Sequence, residues 1–168
     1  PTDFEVDNAE EFTISAITNS GGKSIITLSR PTIFKHYAGS VDYTGSNFNG
    51  GTKTKTLEMR AEVGLLSRNV VYKGADDDSV EAQYGAHIMM HSHGDDSLTG
   101  RISYVELTQV GQAFQLGRYP IHFHMIGNVH NSYVKGNAIH HTYNRACTIH
   151  GVHYLTIKDN VAYHTMGH

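Results

Sequence analysis

The chain has 168 residues, 39% of them hydrophobic and 17% charged, with a formal net charge of −3. Those values fit a folded core and exclude a disordered polyelectrolyte, and the lack of net positive charge speaks against a nucleic-acid partner. A single cysteine, Cys147, excludes an intrachain disulfide, and no apolar run reaches the roughly 18 residues of a membrane span.

Taken in chain order, the first elements read as β-structure. Phe12–Ile17 alternates apolar and polar residues, Asn19-Ser20-Gly21-Gly22 supplies a turn, and Ser24–Leu28 resumes, which predicts a hairpin. Gly39–Thr56 is polar and glycine-rich and reads as a long surface loop. Leu57–Leu66 has helical propensity, but its β-like flanks favour an extended strand and turn. Asp76-Asp77-Asp78 reads as a solvated loop without the alternating spacing of a calcium site.

The second half repeats itself. Asn137-Ala138-Ile139-His140-His141-Thr142 matches Asn160-Val161-Ala162-Tyr163-His164-Thr165 at an offset of 23 (160 − 137). Ser103-Tyr104-Val105-Glu106 matches Ser132-Tyr133-Val134-Lys135 at an offset of 29 (132 − 103). Irregular repeats of this size predict stacked coils with loops of varying length, about 4.8 Å apart. The expected inward column is Val105, Val134 and Ile157, with Glu106 neutralised by Lys135 on the outside. The fold class expected is all-β, a right-handed parallel β-helix segment; an ordinary β-sandwich with coincidental similarity is the alternative.

Twelve of the thirteen histidines lie at or beyond His87. In Ile121-His122-Phe123-His124-Met125 the apolar residues alternate with histidines, so one strand face is core and the other is imidazole. Stacking Ile149 on Ile121 would set His150 over His122, and the 23-residue step sets His164 over His141. His122, His124 and His150 are therefore candidate metal ligands for a divalent ion such as zinc or calcium, against the plainer reading of imidazoles bonded to turns. His87, His91 and His93 beside Gly94-Asp95-Asp96 read as a solvated turn, with a calcium or zinc loop as the alternative. A glycosidase needs two carboxyl groups about 5 to 10 Å apart, and no such pair is visible near the histidines.

The motifs Ala61-Glu62-Val63-Gly64-Leu65-Leu66-Ser67-Arg68-Asn69-Val70 and Leu116-Gly117-Arg118-Tyr119-Pro120-Ile121-His122-Phe123-His124 carry a family resemblance. With Ala138–Ala146 and Thr148–Gly151 they resemble the β-helix region that follows the G8 domain in fibrocystin, fibrocystin-L and the cell-migration-inducing and transmembrane hyaluronidases. The resemblance runs from about Thr2 to His168 and implies two parts. Residues 1–56 would be the short β-rich tail of a G8-like domain with its glycine-rich loop, and 57–168 the coils of the β-helix.

The resemblance also implies an extracellular or cell-surface location and a parent polypeptide continuing at both ends. Ile139-His140-His141 and Met166-Gly167-His168 lean towards the hyaluronidase branch, and Tyr143-Asn144-Arg145-Ala146 towards the fibrocystin branch. The leading expectation is a non-catalytic module that builds a surface coat or binds a glycan or an extracellular protein; if the chain is catalytic, His122, His124 and His150 are the expected substrate- or metal-contacting groups. Arg118 and Arg145 would be candidates to receive a sugar carboxylate, for which a guanidinium is the matching donor, with a structural bond from Arg145 to a turn carbonyl as the equal alternative. The alternative is part of a hyaluronan-type polysaccharide depolymerase, with an intracellular metal-dependent oxygenase a distant third.

Overall fold

The computed structural model describes residues 5–168, so the start of the expected G8-like tail at Thr2 lies outside the described residues. The chain divides into two compact units, one ending at Val63 and one running from Gly64 to His168.

The first unit consists of two antiparallel hairpins. β1 (Ile14–Ser20) pairs with β2 (Lys23–Leu28) as the alternation predicts. Its two-residue loop is Gly21-Gly22, with φ of 58° and 73°, the positive pair that a type I′ turn demands. β3 (Ser40–Ser46) pairs with β4 (Thr52–Glu58), which corrects the reading of Gly39–Thr56 as a loop. Almost every residue of this hairpin is exposed on both faces, so neither strand carries the apolar stripe by which a strand is recognised. The chain from Met59 to Asn69 has no regular structure, so the strand expected in Leu57–Leu66 stops at Glu58.

Within this unit Glu10 ties down the segment after β2. Its carboxylate accepts from the backbone N–H groups of Ile33 (3.0 Å) and Phe34 (3.1 Å) and from Arg30 Nη1 (3.0 Å), and meets His36 Nε2 at 2.9 Å. Removal from water raises the Glu10 pKa, but the bonds from Ile33, His36, Phe34 and Arg30 outweigh this and hold it at about 2. A carboxyl depressed from 4.5 in the folded state stabilises above that value and loses its contribution as pH falls towards 2. The amide resonances of Ile33 and Phe34, followed by NMR, should therefore stay native through pH 4.5 and shift only nearer 2. A midpoint at 4.5 would contradict the arrangement.

The second unit is a parallel β-helix. β5 (Val70–Lys73) and β6 (Ile88–His91) flank the one-turn helix α1 (Asp78–Ala82). Asp78 therefore begins a helix instead of a loop, while Asp76 pairs with Lys73. β7 (Arg101–Ser103), β8 (Val105–Thr108) and β9 (Ile121–Asn128) form the first complete rung. β10 (Tyr133–Lys135), β11 (Ala138–Thr142) and β12 (Cys147–His153) form the second. β13 (Thr156–Lys158) and β14 (Val161–Thr165) begin a third. The strands stack into three parallel sheets, ordered β13-β10-β7, β14-β11-β8-β5 and β12-β9-β6. Each strand meets the next rung and not its chain neighbour, so the rungs bury one another's backbone groups.

Registers decide what faces the core. The 23-residue step holds: Val134 pairs with Ile157, and Ala138 with Val161. The 29-residue step does not. Val134 lies over Ile102, an offset of 32 (134 − 102), and Val105 lies in the neighbouring sheet over Val70. The inward column is thus Ile102, Val134 and Ile157. Beside it Leu107 and Ile139 fill the second sheet, and Ile121 and Phe123 the third, all buried at 2% exposure or less. Together with Val110, Ile126 and Val129 they form one continuous core.

The corners are equally regular. Tyr104, Gly136 and Asp159 stack at successive rungs, all with left-handed backbone, φ 56°, 64° and 56°. Gly136 cannot be otherwise, because a β-carbon there would meet the Tyr104 ring at 2.6 Å. The next position holds the buried Asn137 and, above it, Asn160, whose amides bridge the rungs.

Candidate functional site

The histidine face lies on the outer side of the β12-β9-β6 sheet. Inward Ile121 and Phe123 fix the alternation, so His122 and His124 point out together. Met125 departs from the expected pattern. Its φ is 50°, the strand bulges, and Met125 is half exposed while Ile126 turns into the core.

The partners across rungs differ from the expected ones by two residues. Ile149 pairs with Phe123 and His150 with His124, so the offset is 26 (150 − 124) and His150 does not stack on His122. Cys147 pairs with Ile121, and Thr148 with His122. Below, His91 pairs with His124. One column therefore reads His91, His124, His150, and its neighbour reads Met89, His122, Thr148. His91 is the member missed in the sequence. Ile88-Met89-Met90-His91 has the same shape as Ile121-His122-Phe123-His124, but the two methionines conceal it.

The imidazoles touch in series. Ring centroids are 5.5 Å apart for His91 and His124, 5.0 Å for His124 and His150, and 4.9 Å for His122 and His124. His124 Nδ1 and His150 Nδ1 lie 3.2 Å apart. His122 Nδ1 is 3.1 Å from the Gly117 carbonyl, and His91 Nδ1 is 3.0 Å from that of His124. A carbonyl only accepts, so both Nδ1 atoms carry hydrogen and both Nε2 atoms present a lone pair when neutral. One ligand nitrogen from each of His122, His124 and His150 falls within 4.8 Å of the others. Burial lowers the His122 pKa; the Gly117 carbonyl opposes this, while His124, His150 and His87 reinforce it. His122 is only 3% exposed, so its neutral, ligand-competent form is favoured.

The two candidate arginines border this face differently. Arg145 lays its guanidinium over the Tyr119 ring at 5.5 Å, and the same ring meets His122 edge-on at 4.9 Å. Tyr119 thus links Arg145 to the histidines. Arg118 donates from Nη1 to His87 Nε2 at 3.0 Å and is exposed. Neither arginine is paired with a carboxylate among the described residues. His87 serves as an acceptor for Arg118, while His93 is not drawn into the column.

A second polar cluster on the β14-β11-β8-β5 sheet replaces the expected Glu106–Lys135 pair. Lys135 lies over Ser103, and Glu106 pairs in register with Ala138. Glu106 accepts from the Arg68 backbone N–H (2.9 Å) and meets His140 Nε2 at 3.2 Å. His140 Nδ1 lies 2.8 Å from His141 Nδ1, and His141 stacks on His164 at 5.0 Å as the 23-residue step predicts. Glu106, the carboxylate that meets His140, is thus on a different sheet from His122, His124 and His150.

Comparison with known proteins agrees with this architecture. Mouse fibrocystin-L is 36% identical over 192 aligned residues, covering 94% of this chain and 4% of the relative. The human cell surface hyaluronidase CEMIP2 is 34% identical over 184, covering 99% of this chain and 12% of the relative. The human cell migration-inducing and hyaluronan-binding protein is 31% identical over 185, with 99% and 12% coverage. The chain therefore spans a small fraction of these relatives. No solved structure matches significantly. The profile described as CEMIP beta-helix matches residues 83–168, the stretch that holds both complete rungs and the histidine column. Rungs, registers and sequence similarity converge, and the chain belongs to the CEMIP beta-helix family.

Proposed function

We propose that this segment is a β-helix module of a large extracellular or cell-surface protein, and that it binds an acidic glycan along the face of His122, His124 and His150. The supporting observation is the contact series Arg145–Tyr119–His122. It sets a guanidinium with no carboxylate partner among the described residues beside a row of imidazoles. Such a guanidinium can take a sugar carboxylate through two parallel hydrogen bonds. Arg118 would extend the same rim. The relatives named above include one described as hyaluronan-binding and one as a cell surface hyaluronidase, which supports both the ligand class and the location.

The reading as a module rests on the terminal strands of the sheets. Ile149 and Ile157 continue the inward columns of Phe123 and Val134, yet they are 46% and 44% exposed. Apolar side chains in that position fit a further rung of the parent polypeptide. Binding is preferred to depolymerisation because Glu106, the carboxylate bonded to a histidine of the β-helix, lies on the β14-β11-β8-β5 sheet and not on this face.

Titration of hyaluronan oligosaccharides into the full chain, with reducing ends assayed in parallel, tests this. Binding without new reducing ends is expected, weakened about tenfold by Arg145→Ala, as suits one lost charge-assisted contact. Reducing ends that appear with the native chain and vanish with His122→Ala would establish the depolymerase instead. An affinity unchanged by Arg145→Ala would overturn the proposed contact.

A further inference from the structure

We infer that His122, His124 and His150 form a binding site for one divalent transition-metal ion of the zinc class. The inference stands apart from the glycan reading and needs no glycan for its test.

The donor set comes first. Three imidazoles on two adjacent rungs each offer a nitrogen within 4.8 Å of the other two. Zinc binds histidine nitrogen at about 2.0–2.1 Å in tetrahedral geometry, which sets neighbouring ligand nitrogens about 3.3 Å apart. His124 Nδ1 and His150 Nδ1 already stand at 3.2 Å. The wider separation closes by rotation of side chains, and His150 is exposed and free to turn.

Protonation follows from the hydrogen bonds. His122 is fixed with hydrogen on Nδ1 by the Gly117 carbonyl, which leaves its Nε2 lone pair for a ligand and orients the ring as outer partners of metal ligands do. Between His124 and His150 one Nδ1 carries the hydrogen that the other accepts. Binding requires that hydrogen to pass to Nε2 of the same ring through solvent, a tautomer change with no net proton released. His91 donates to the His124 carbonyl from below and steadies the middle strand position.

The surroundings complete the case. Thr148 pairs with His122 in register, so it faces the same side, and its buried Oγ1 has no hydrogen-bond partner among the described residues. A water on a three-histidine metal ion would give that hydroxyl a partner. The set contains no carboxylate, which selects zinc, copper or nickel and disfavours calcium, an ion that takes six to eight oxygen ligands. Calcium, entertained from the sequence, does not suit this donor set.

The test is calorimetric titration of zinc chloride into the full chain without glycan, paralleled by cobalt(II) absorption spectra. One zinc per chain is expected, with visible cobalt bands in the intensity range of a tetrahedral site. His150→Ala should lower zinc affinity at least about tenfold, the smallest loss that even outer partners of a site produce. His150 is exposed on β12, the terminal strand of its sheet, so this variant should keep its native thermal transition. His164→Ala, on another sheet, should leave affinity and stoichiometry unchanged. Equal loss from His150→Ala and His164→Ala would mean dispersed surface binding and overturn the site. So would displacement of cobalt by calcium.

Discussion

Asn137→Ala is expected to lower the unfolding free energy of the chain by about 3 kcal/mol, the loss of two or more buried hydrogen bonds. Asn137 is fully buried at the corner between β10 and β11. Its Oδ1 accepts from Val105 N–H (3.0 Å), and its Nδ2 donates to the Ile102 carbonyl (3.1 Å) and to Asn160 Oδ1 (2.9 Å). Asn160 in turn donates to the Val134 carbonyl at 2.8 Å. One column of amides thereby connects three rungs where the chain turns and ladder bonds are interrupted. Alanine withdraws these partners from Val105 and Ile102 together, and a dry site offers no replacement. Aspartate fails too, because an ionised carboxylate cannot donate to the Ile102 carbonyl. Asn160→Ala, on the partial rung, should cost about 1 kcal/mol, because Asn160 is only partly buried and water can replace its bonds. Urea denaturation of both variants measures the difference. Equal losses would mean that the column is not cooperative through Asn137.

The second large effect concerns Glu106. Glu106→Leu should destabilise the chain by about 2 kcal/mol, the cost of leaving partly buried donors without their acceptor. The carboxylate takes the Arg68 N–H and the His140 Nε2 contact, and the Arg68 side chain continues from Nε to the Gly136 carbonyl at 2.8 Å. Residues 64–69 lack regular structure, so this anchorage substitutes for a strand ladder. Glu106→Gln retains an acceptor for Arg68 and should cost about half as much. Hydrogen exchange at Arg68 reports the local consequence: faster in Glu106→Leu than in Glu106→Gln. Were Lys135 the true partner of Glu106, Lys135→Ala would match Glu106→Leu in both measurements, and no such match is expected.

What the sequence makes legible follows from how each feature is encoded. The Gly21-Gly22 turn is local chemistry, so the first hairpin can be read directly. The 23-residue step is visible because Asn137 and Asn160 fill the same buried amide position, where few other side chains satisfy the same donors and acceptors. The step between the first two rungs is hidden for the converse reason. Its left-handed corner holds Tyr104 in one rung and Gly136 in the next, residues with nothing in common except the backbone they adopt. The resemblance of Ser103–Glu106 to Ser132–Lys135 then misaligned Val105 by three positions and drew Glu106 towards Lys135.

The histidine face shows the same division. Alternation in Ile121–His124 reveals which residues point outward, since strand period fixes it. It does not reveal which outward residue lies above which. That depends on the length of the loop joining β11 to β12, which sets His150 over His124 and not over His122 two positions earlier on β9. His91 escaped for lack of a neighbouring histidine on its strand. The β3–β4 hairpin escaped because both its faces are wet and no apolar pattern marks it.

Everything proposed for the histidine face depends on the alignment of β12 upon β9. Inter-strand nuclear Overhauser contacts in the uniformly labelled chain measure that alignment without reference to any ligand. Contacts should join the backbone of His124 to that of His150, and Phe123 to Ile149, with Ile102 meeting Val134 in the adjacent sheet. Backbone contacts joining His122 to His150 and Ile121 to Ile149 would contradict the account.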